Sequence, residues 1–172
     1  VLKVVFEELS FNNVYLGGIL LKPNMVISGM KCQNQSSVEE VKNQTLNCLK
    51  ECVPDEVPGI VFLSGGQSNE LATLHLNLMN KNLELPWNLS FSYGRALQQP
   101  SIISWNGKDE NISISQKNLE KRAKLNSLAT TGDYLTEINV TSPTGFQEIS
   151  KLSEIDLAEL FYSQVNNILG RV

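Results

Sequence analysis

One short segment, Leu20-Leu21-Lys22-Pro23-Asn24-Met25-Val26, places a lysine at the end of an apolar run. Proline disfavours the α region for the residue before it, so we expect Lys22 to close an extended, buried strand. Burial favours the neutral form of an amine, and the neutral amine is the form that attacks carbonyl groups. The segment therefore indicates either a Schiff-base lysine or an ordinary lysine that reaches into water from the end of a strand.

The composition fits a globular domain with a sizeable core. The chain has 172 residues, of which 41% are hydrophobic and 19% are charged. No apolar run approaches the roughly 20 residues of a membrane span, so we expect no membrane partner. With a net charge of −4 and no basic cluster, we also expect no nucleic-acid partner. No signal peptide is visible, and we expect a cytoplasmic protein. Because the chain begins at Val1 rather than Met, we expect a fragment of a longer one.

The cysteines argue against a disulfide framework, because Cys32, Cys48 and Cys52 are odd in number and show no paired spacing. Cys48 and Cys52 lie one helical turn apart, where buried free thiols are ordinary core residues. His75 is the only histidine and falls on a different predicted helix. We therefore expect no metal site.

Strands and helices alternate in the predicted order of elements. Apolar patterns predict strands over residues 14–22, 60–64 and 87–92. A capping box over residues 36–39 begins one intervening helix, which Pro54 ends. Further helices are predicted over 68–80, from 95 toward 105, and over 109–129. Such alternation is typical of parallel βαβ units. We therefore predict three successive units of a barrel or an open α/β sheet, in a chain shorter than the about 250 residues of a complete eight-fold barrel.

Two glycine-containing turns follow the second and third predicted strands. They are Ser64-Gly65-Gly66 and Ser92-Tyr93-Gly94-Arg95. Glycine lets the backbone approach an anion closely, and the N–H groups at the start of the following helix point toward it. The guanidinium of Arg95 can grip phosphate oxygens as a fork. Barrel enzymes often bind phosphate through successive loops of this kind, so we predict a phosphate site here.

Strand alternation predicts which side chains share a face with the candidate residues. Lys22 is taken to point into the cavity, and Leu20 and Phe62 are taken as inner-face residues. On the third strand, Ser92 shares a face with Ser90 and Asn88, while Trp87, Leu89 and Phe91 point the other way. The polar face suits the interior of a site, and the alternative is a polar edge strand. We predict that Lys22, Ser64 and Ser92 face one cavity at the carboxyl ends of adjacent parallel strands.

Three segments carry a resemblance to a known family. Residues 16–26, LGGILLKPNMV, closely resemble the Schiff-base lysine strand of class I fructose-bisphosphate aldolases. Residues 62–68, FLSGGQS, and 91–96, FSYGRA, resemble the phosphate-binding loops of that family, in its order and at about its spacing. The resemblance covers residues 1–134 and corresponds to the second half of the family's chain. It implies an α/β fold made of the last three βα units of a TIM barrel plus C-terminal helices. Residues 135–172 are left as a divergent tail that could form an amphipathic helix.

The resemblance also implies an activity. Class I aldolases are glycolytic lyases that cleave fructose 1,6-bisphosphate to dihydroxyacetone phosphate and glyceraldehyde 3-phosphate, without a metal or other cofactor. They are usually homotetramers. Lys22 matches the lysine that forms a Schiff base with the C2 carbonyl of the ketose. The positions expected to hold the C1 phosphate are Ser64, Gly65, Ser92, Gly94 and Arg95.

The chain also departs from the family pattern. Gly17 stands where an acidic residue is usual, and Ile19 replaces a usual threonine. The family's acidic and second basic catalytic residues come from earlier strands, which this chain lacks, and Tyr162 does not match the family's terminal tyrosine. We therefore expect the chain alone to be inactive. The alternative is a catalytically inactive aldolase-like module that binds phosphate or another protein. Another Schiff-base lyase on the same barrel is disfavoured by the length of the matches.

Overall fold

A three-stranded parallel sheet forms the centre of the fold in residues 1–81 and 84–134, the part of the chain that the computed structural model describes. The strands lie in the order β1-β2-β3, which is also their order in the sequence. The register pairs Leu20 with Gly59 and Gly59 with Asn88. The predicted α/β fold with adjacent parallel strands is confirmed. The strands are β1 Leu20–Leu21, β2 Gly59–Phe62 and β3 Asn88–Phe91. The predicted tail helix lies outside the described residues.

Helices follow each strand, and one helix precedes the sheet. Short 3-10 helices at Leu16–Gly18 and Asp109–Asn111 precede β1 and the last α-helix. No helix of the described ranges is long and apolar enough to cross a bilayer. The α-helices are α1 Leu2–Phe11, α2 Val38–Cys52, α3 Asn69–Asn80, α4 Arg95–Trp105 and α5 Ile112–Ala129.

Serine side chains begin the two helices that follow β1 and β2. The Ser37 hydroxyl accepts a hydrogen bond from the Glu40 N–H at the start of α2. The cap is therefore one residue later than the capping box predicted, because the Ser36 hydroxyl is hydrogen-bonded to that of Ser28 instead. At α3, the Ser68 hydroxyl accepts from the Leu71 N–H. Both caps satisfy an N–H group that the helix itself leaves unpaired.

The first strand is much shorter than predicted. Residues 14–22 were expected to be extended, but only Leu20–Leu21 pair with β2, and Leu16–Gly18 form a 3-10 turn. In this register, the residues before Leu20 lie opposite the segment that precedes Gly59. That segment contains Pro54 and Pro58, which have no N–H to donate to a ladder. The missing partners explain why the strand begins late.

One face of the sheet packs against helices α2 and α3. Ile60 and Phe62 are fully buried and join a core with Leu49, Leu76 and Met79 of α2 and α3. On β3, Leu89 pairs with Ile60 and Trp87 is also buried, so the predicted apolar face of the third strand is confirmed.

The prediction that Leu20 and Phe62 are both inner-face residues is wrong. Leu20 pairs with Gly59 and therefore lies on the face opposite to Ile60 and Phe62. Its side chain is 62% exposed, whereas that of Phe62 is 0% exposed. Side chains alternate along a strand, so a difference of one position between partners puts them on different faces.

Candidate active site

The candidate lysine follows β1 directly and is exposed. Lys22 is the first residue after Leu21, and its side chain is solvent-accessible in the described part of the chain. The expectation that it closes a buried strand is therefore wrong here. The reason is that β1 pairs only with β2 among the described strands, and the face that carries Leu20 lacks cover. Pro23 nevertheless stays beside β2, because its carbonyl accepts the Leu63 N–H at 3.1 Å.

The first predicted phosphate loop turns sharply between β2 and α3. Ser64 is buried at 7% exposure, two residues after the end of β2. Gly66 has a φ of +77°, a conformation that favours glycine, and a Cβ there would come within 2.8 Å of Ile27. Ser68 then caps α3. The loop is thus a compact turn that ends at the amino end of a helix, the feature on which the phosphate prediction rests.

A buried histidine on α3 is hydrogen-bonded to this loop. The Nδ1 atom of His75 lies 2.7 Å from Oε1 of Gln67, and Nε2 of Gln67 donates to the sulfur of Met25 at 3.5 Å. Burial lowers the pKa of His75. In the sequence, His75 stands out only as a potential metal ligand, because nothing in a helical pattern shows that a side chain reaches back to the preceding loop.

The second predicted phosphate loop is fixed to the core by Tyr93. Its hydroxyl donates to the Ala72 carbonyl of α3 at 2.7 Å. Burial raises the pKa of this hydroxyl, and the positive charge of Arg122 partly offsets the effect. Gly94 and Arg95 are exposed, and Arg95 begins α4. Within residues 1–81 and 84–134, no ion pair occupies the Arg95 guanidinium, so it can reach a ligand.

The three predicted site segments meet at one edge of the sheet. Lys22, Ser64 and Ser92 follow β1, β2 and β3 respectively. Backbone hydrogen bonds continue between these ends, from Leu63 N–H to Pro23 and from Ser92 N–H to the Phe62 carbonyl at 2.8 Å. The strand ends are therefore adjacent. Alternation puts Lys22 and Ser92 on the Leu20 face. Continued from Phe62, the same alternation would put Ser64 on the opposite face, but β2 ends at Phe62. The common cavity of the three residues therefore remains a prediction.

Arg122 on α5 is the candidate residue that the sequence analysis missed. It is buried at 5% exposure and hydrogen-bonded to backbone carbonyls of α3 and α4. Its neighbours Lys121, Ala123 and Lys124 are all exposed, so the local sequence resembles a solvated helix face. Only the packing of three helices shows that this side chain is buried.

Comparison with known proteins identifies one family. A family model described as Fructose-bisphosphate aldolase class-I matches residues 1–150, which extends beyond the predicted limit at residue 134. Fructose-bisphosphate aldolase B of Sparus aurata is 50% identical over 135 residues, which are 78% of this chain and 37% of that protein. Fructose-bisphosphate aldolase 3, chloroplastic, of Arabidopsis thaliana is 54% identical over 133 residues, 77% of this chain and 34% of that protein.

A solved structure is similar in three dimensions as well. It is a ternary complex of fructose-bisphosphate aldolase from Plasmodium falciparum with TRAP and a small-molecule inhibitor. The TM-score is 0.76 at 47% identity, over 78% of this chain and 39% of that one. The chain thus spans less than two fifths of the length of each of these relatives. The family match covers most of the sequence, and the chain belongs to the class I fructose-bisphosphate aldolase family.

Proposed function

We propose that a complete protein containing this chain cleaves fructose 1,6-bisphosphate to dihydroxyacetone phosphate and glyceraldehyde 3-phosphate. The observation that carries the proposal is the juxtaposition of Lys22 with two glycine turns at the ends of adjacent parallel strands. In this proposal residues 1–134 supply the last three βα units of a TIM barrel, and residues 135–172 form a separate tail. The complete protein is a cytoplasmic homotetramer that needs no metal or other cofactor.

The proposed chemistry begins at the amine of Lys22. The neutral Nζ attacks the C2 carbonyl, and loss of water gives an imine, which is then protonated. The C3–C4 bond breaks as its electron pair moves toward the iminium nitrogen, and the C4 hydroxyl loses a proton to a base from outside this chain. Protonation at C3 and hydrolysis of the imine release dihydroxyacetone phosphate and restore the lysine.

The proposed phosphate site fixes the ketose relative to Lys22. Ser64 and Gly65 offer groups at the amino end of α3, and Ser92 and Gly94 offer groups before α4. Both helix ends carry N–H groups that suit an anion. Arg95 adds an exposed guanidinium at the first position of α4. Orienting the carbonyl in this way lowers the entropic part of the barrier to imine formation.

A second candidate is a phosphate-binding module without lyase activity. The exposure of Lys22 in the described chain favours it, because the Schiff-base interpretation expects a buried lysine at the end of the strand. In this case the two loops would bind phosphate while Lys22 remained an ordinary surface lysine.

Cleavage assays on the complete protein test the proposal. We expect turnover of fructose 1,6-bisphosphate that a metal chelator does not reduce, and little or no turnover by residues 1–172 alone. Proton transfers by positioned side chains contribute about 10²- to 10⁴-fold each, which explains the expected loss in the shorter chain. Loss of activity with chelator would contradict the Schiff-base class, and phosphate binding without cleavage would favour the second candidate.

A further inference from the structure

Arg122 lies between the first turns of the two helices that follow the predicted phosphate loops. Its Nε donates to the Ala96 carbonyl in α4 at 2.8 Å. Its Nη2 donates to the Asn69 carbonyl in α3 at 2.7 Å and to the Thr73 hydroxyl at 2.6 Å. One guanidinium therefore connects α3 to α4 directly behind both loops.

The charge of Arg122 is buried without a carboxylate partner in the described part of the chain. The ion pairs found there are exposed or partly exposed and involve only lysines: Lys3–Glu51, Lys42–Glu39 and Lys108–Glu110. A buried charge is costly unless it is paired. The amino end of a helix also carries partial positive charge, so a cation beside two such ends is unfavourable by itself. An anion bound at the loops would offset this repulsion.

We propose that Arg122 is a positioning residue for substrate phosphate, an inference that rests on the proposed function. It holds the amino ends of α3 and α4 at a fixed separation, and its buried charge stabilises a phosphate bound at Ser64–Gly66 and Ser92–Arg95. The residue does not touch substrate in this proposal; it acts through the loops. The effect is specific for ligands that carry a phosphate group.

Asn126 offers a way to change the charge without removing the connection. Its Oδ1 accepts from the Thr73 hydroxyl at 2.6 Å and from Arg122 at 3.3 Å. Its Nδ2 is buried and has no hydrogen-bond partner among the described residues. Asn126→Asp keeps the accepting oxygen, removes the unpaired donor and puts a carboxylate beside the guanidinium. A carboxylate so close to arginine stays ionised, so the variant neutralises the local charge and keeps the packing.

The test compares a phosphorylated ketone with an unphosphorylated one in the complete protein. Borohydride trapping at Lys22 is titrated with dihydroxyacetone phosphate and with dihydroxyacetone, for the wild type, Arg122→Met and Asn126→Asp. We expect the half-saturating concentration of dihydroxyacetone phosphate to rise roughly tenfold in both variants, the size of effect typical of residues that orient the groups in contact with a ligand. That of dihydroxyacetone should not change. Lys124→Met, which removes an exposed positive charge from the same helix, is the matched control and should alter neither value.

The following outcomes decide between a positioning role and a merely structural one. An equal loss for both ketones shows a merely structural role and overturns the proposal, as does no change for either ketone in Asn126→Asp. If Arg122→Met fails to fold, Asn126→Asp alone decides. If the wild type traps neither ketone, the lyase proposal fails, and calorimetry with inorganic phosphate tests Arg122 separately. Weaker phosphate binding by Asn126→Asp than by Lys124→Met then supports the positioning role, and equal binding overturns it.

Discussion

At the scale of single residues, Arg95 and Lys22 are the groups proposed to bind the phosphate and the carbonyl of the substrate. Arg95 is exposed at the first position of α4, and in the described chain it makes no ion pair. Lys22, by contrast, offers an amine rather than a fork of donors. In the proposed function the two residues therefore have separable roles, Arg95 toward phosphate and Lys22 toward the carbonyl.

Arg95→Ala in the complete protein should weaken phosphate binding and leave Lys22 reactive. A hydrogen bond to a charged group contributes about 1.5–3 kcal/mol, so the half-saturating concentration of dihydroxyacetone phosphate should rise roughly 10- to 100-fold. Titration of borohydride trapping measures it. The control is Lys117→Ala, which removes an exposed charge on α5. Unchanged affinity in Arg95→Ala would exclude Arg95 from the phosphate site.

His75 should make the stability of this part of the fold depend on pH. Burial lowers the pKa of His75 from its ordinary 6.5 in the folded state. The unfolded chain therefore binds the proton more readily, and folding stability is fully present above pH 6.5 and falls as the pH drops below it. Denaturant unfolding of the complete protein, one pH unit above and one below 6.5, measures the change. His75→Gln should lose less stability over that interval, and an equal loss would exclude His75 as the cause.

Lys22 can be recognised from its local sequence, whereas Arg122 cannot. Lys22 stands out because a proline follows it and an apolar run precedes it. Arg122 lies beside Lys121 on a helix, and its burial depends on where α3 and α4 begin in space. Such a meeting of distant segments leaves no local pattern to detect.

At the scale of elements, a serine cap stabilises α3, the helix that follows the first predicted phosphate loop. In the complete protein, Ser68→Ala removes the acceptor for the Leu71 N–H and should cost about 1 kcal/mol of unfolding free energy. Because α3 begins directly after the loop, the variant should also weaken inorganic phosphate binding, measured by calorimetry.

The matched control is Ser37→Ala, which removes the equivalent cap from α2, where the Glu40 N–H is the donor. It should cost a similar free energy of unfolding and leave phosphate binding unchanged. Equal effects of the two variants on phosphate would mean that the amino end of α3 is no part of the site.

The strands were predictable to different degrees, for a physical reason. The alternation of apolar and polar residues on β3 lies within the strand itself, and Trp87 and Leu89 are buried as predicted. The extent of β1 depends on donors in its neighbour, where Pro54 and Pro58 provide none. A pattern within one strand cannot show what its partner lacks, so residues 14–19 were wrongly predicted as strand.

At the scale of the whole molecule, the described part of the chain presents exposed apolar side chains and strand edges without a neighbouring strand. Phe11 is 82% exposed, Tyr15 80% and Leu20 62%. Among the described strands, β1 and β3 each have only one neighbour. Exposed edges and apolar surface promote association. Leu20 and Phe62 were both predicted to lie on the inner face. Leu20 contributes to this exposed apolar surface, whereas Phe62 is buried on the other face of the sheet.

Residues 1–172 made alone should therefore associate or melt without cooperativity. Light scattering coupled to size-exclusion chromatography should give a mass above the 19.1 kDa of one chain, or a broad distribution. Thermal unfolding should be gradual. A monodisperse monomer with a sharp cooperative melt would show that the chain covers its own surface.

The most direct measurement is the site of the covalent adduct in the complete protein. Reduction with borohydride in the presence of dihydroxyacetone phosphate should attach the ketone to Lys22, as shown by peptide mapping. Lys22→Arg should abolish the adduct, because a guanidinium stays charged and cannot form the imine. An adduct on Lys3, Lys31 or Lys108 instead would contradict the assignment of Lys22 as the Schiff-base residue.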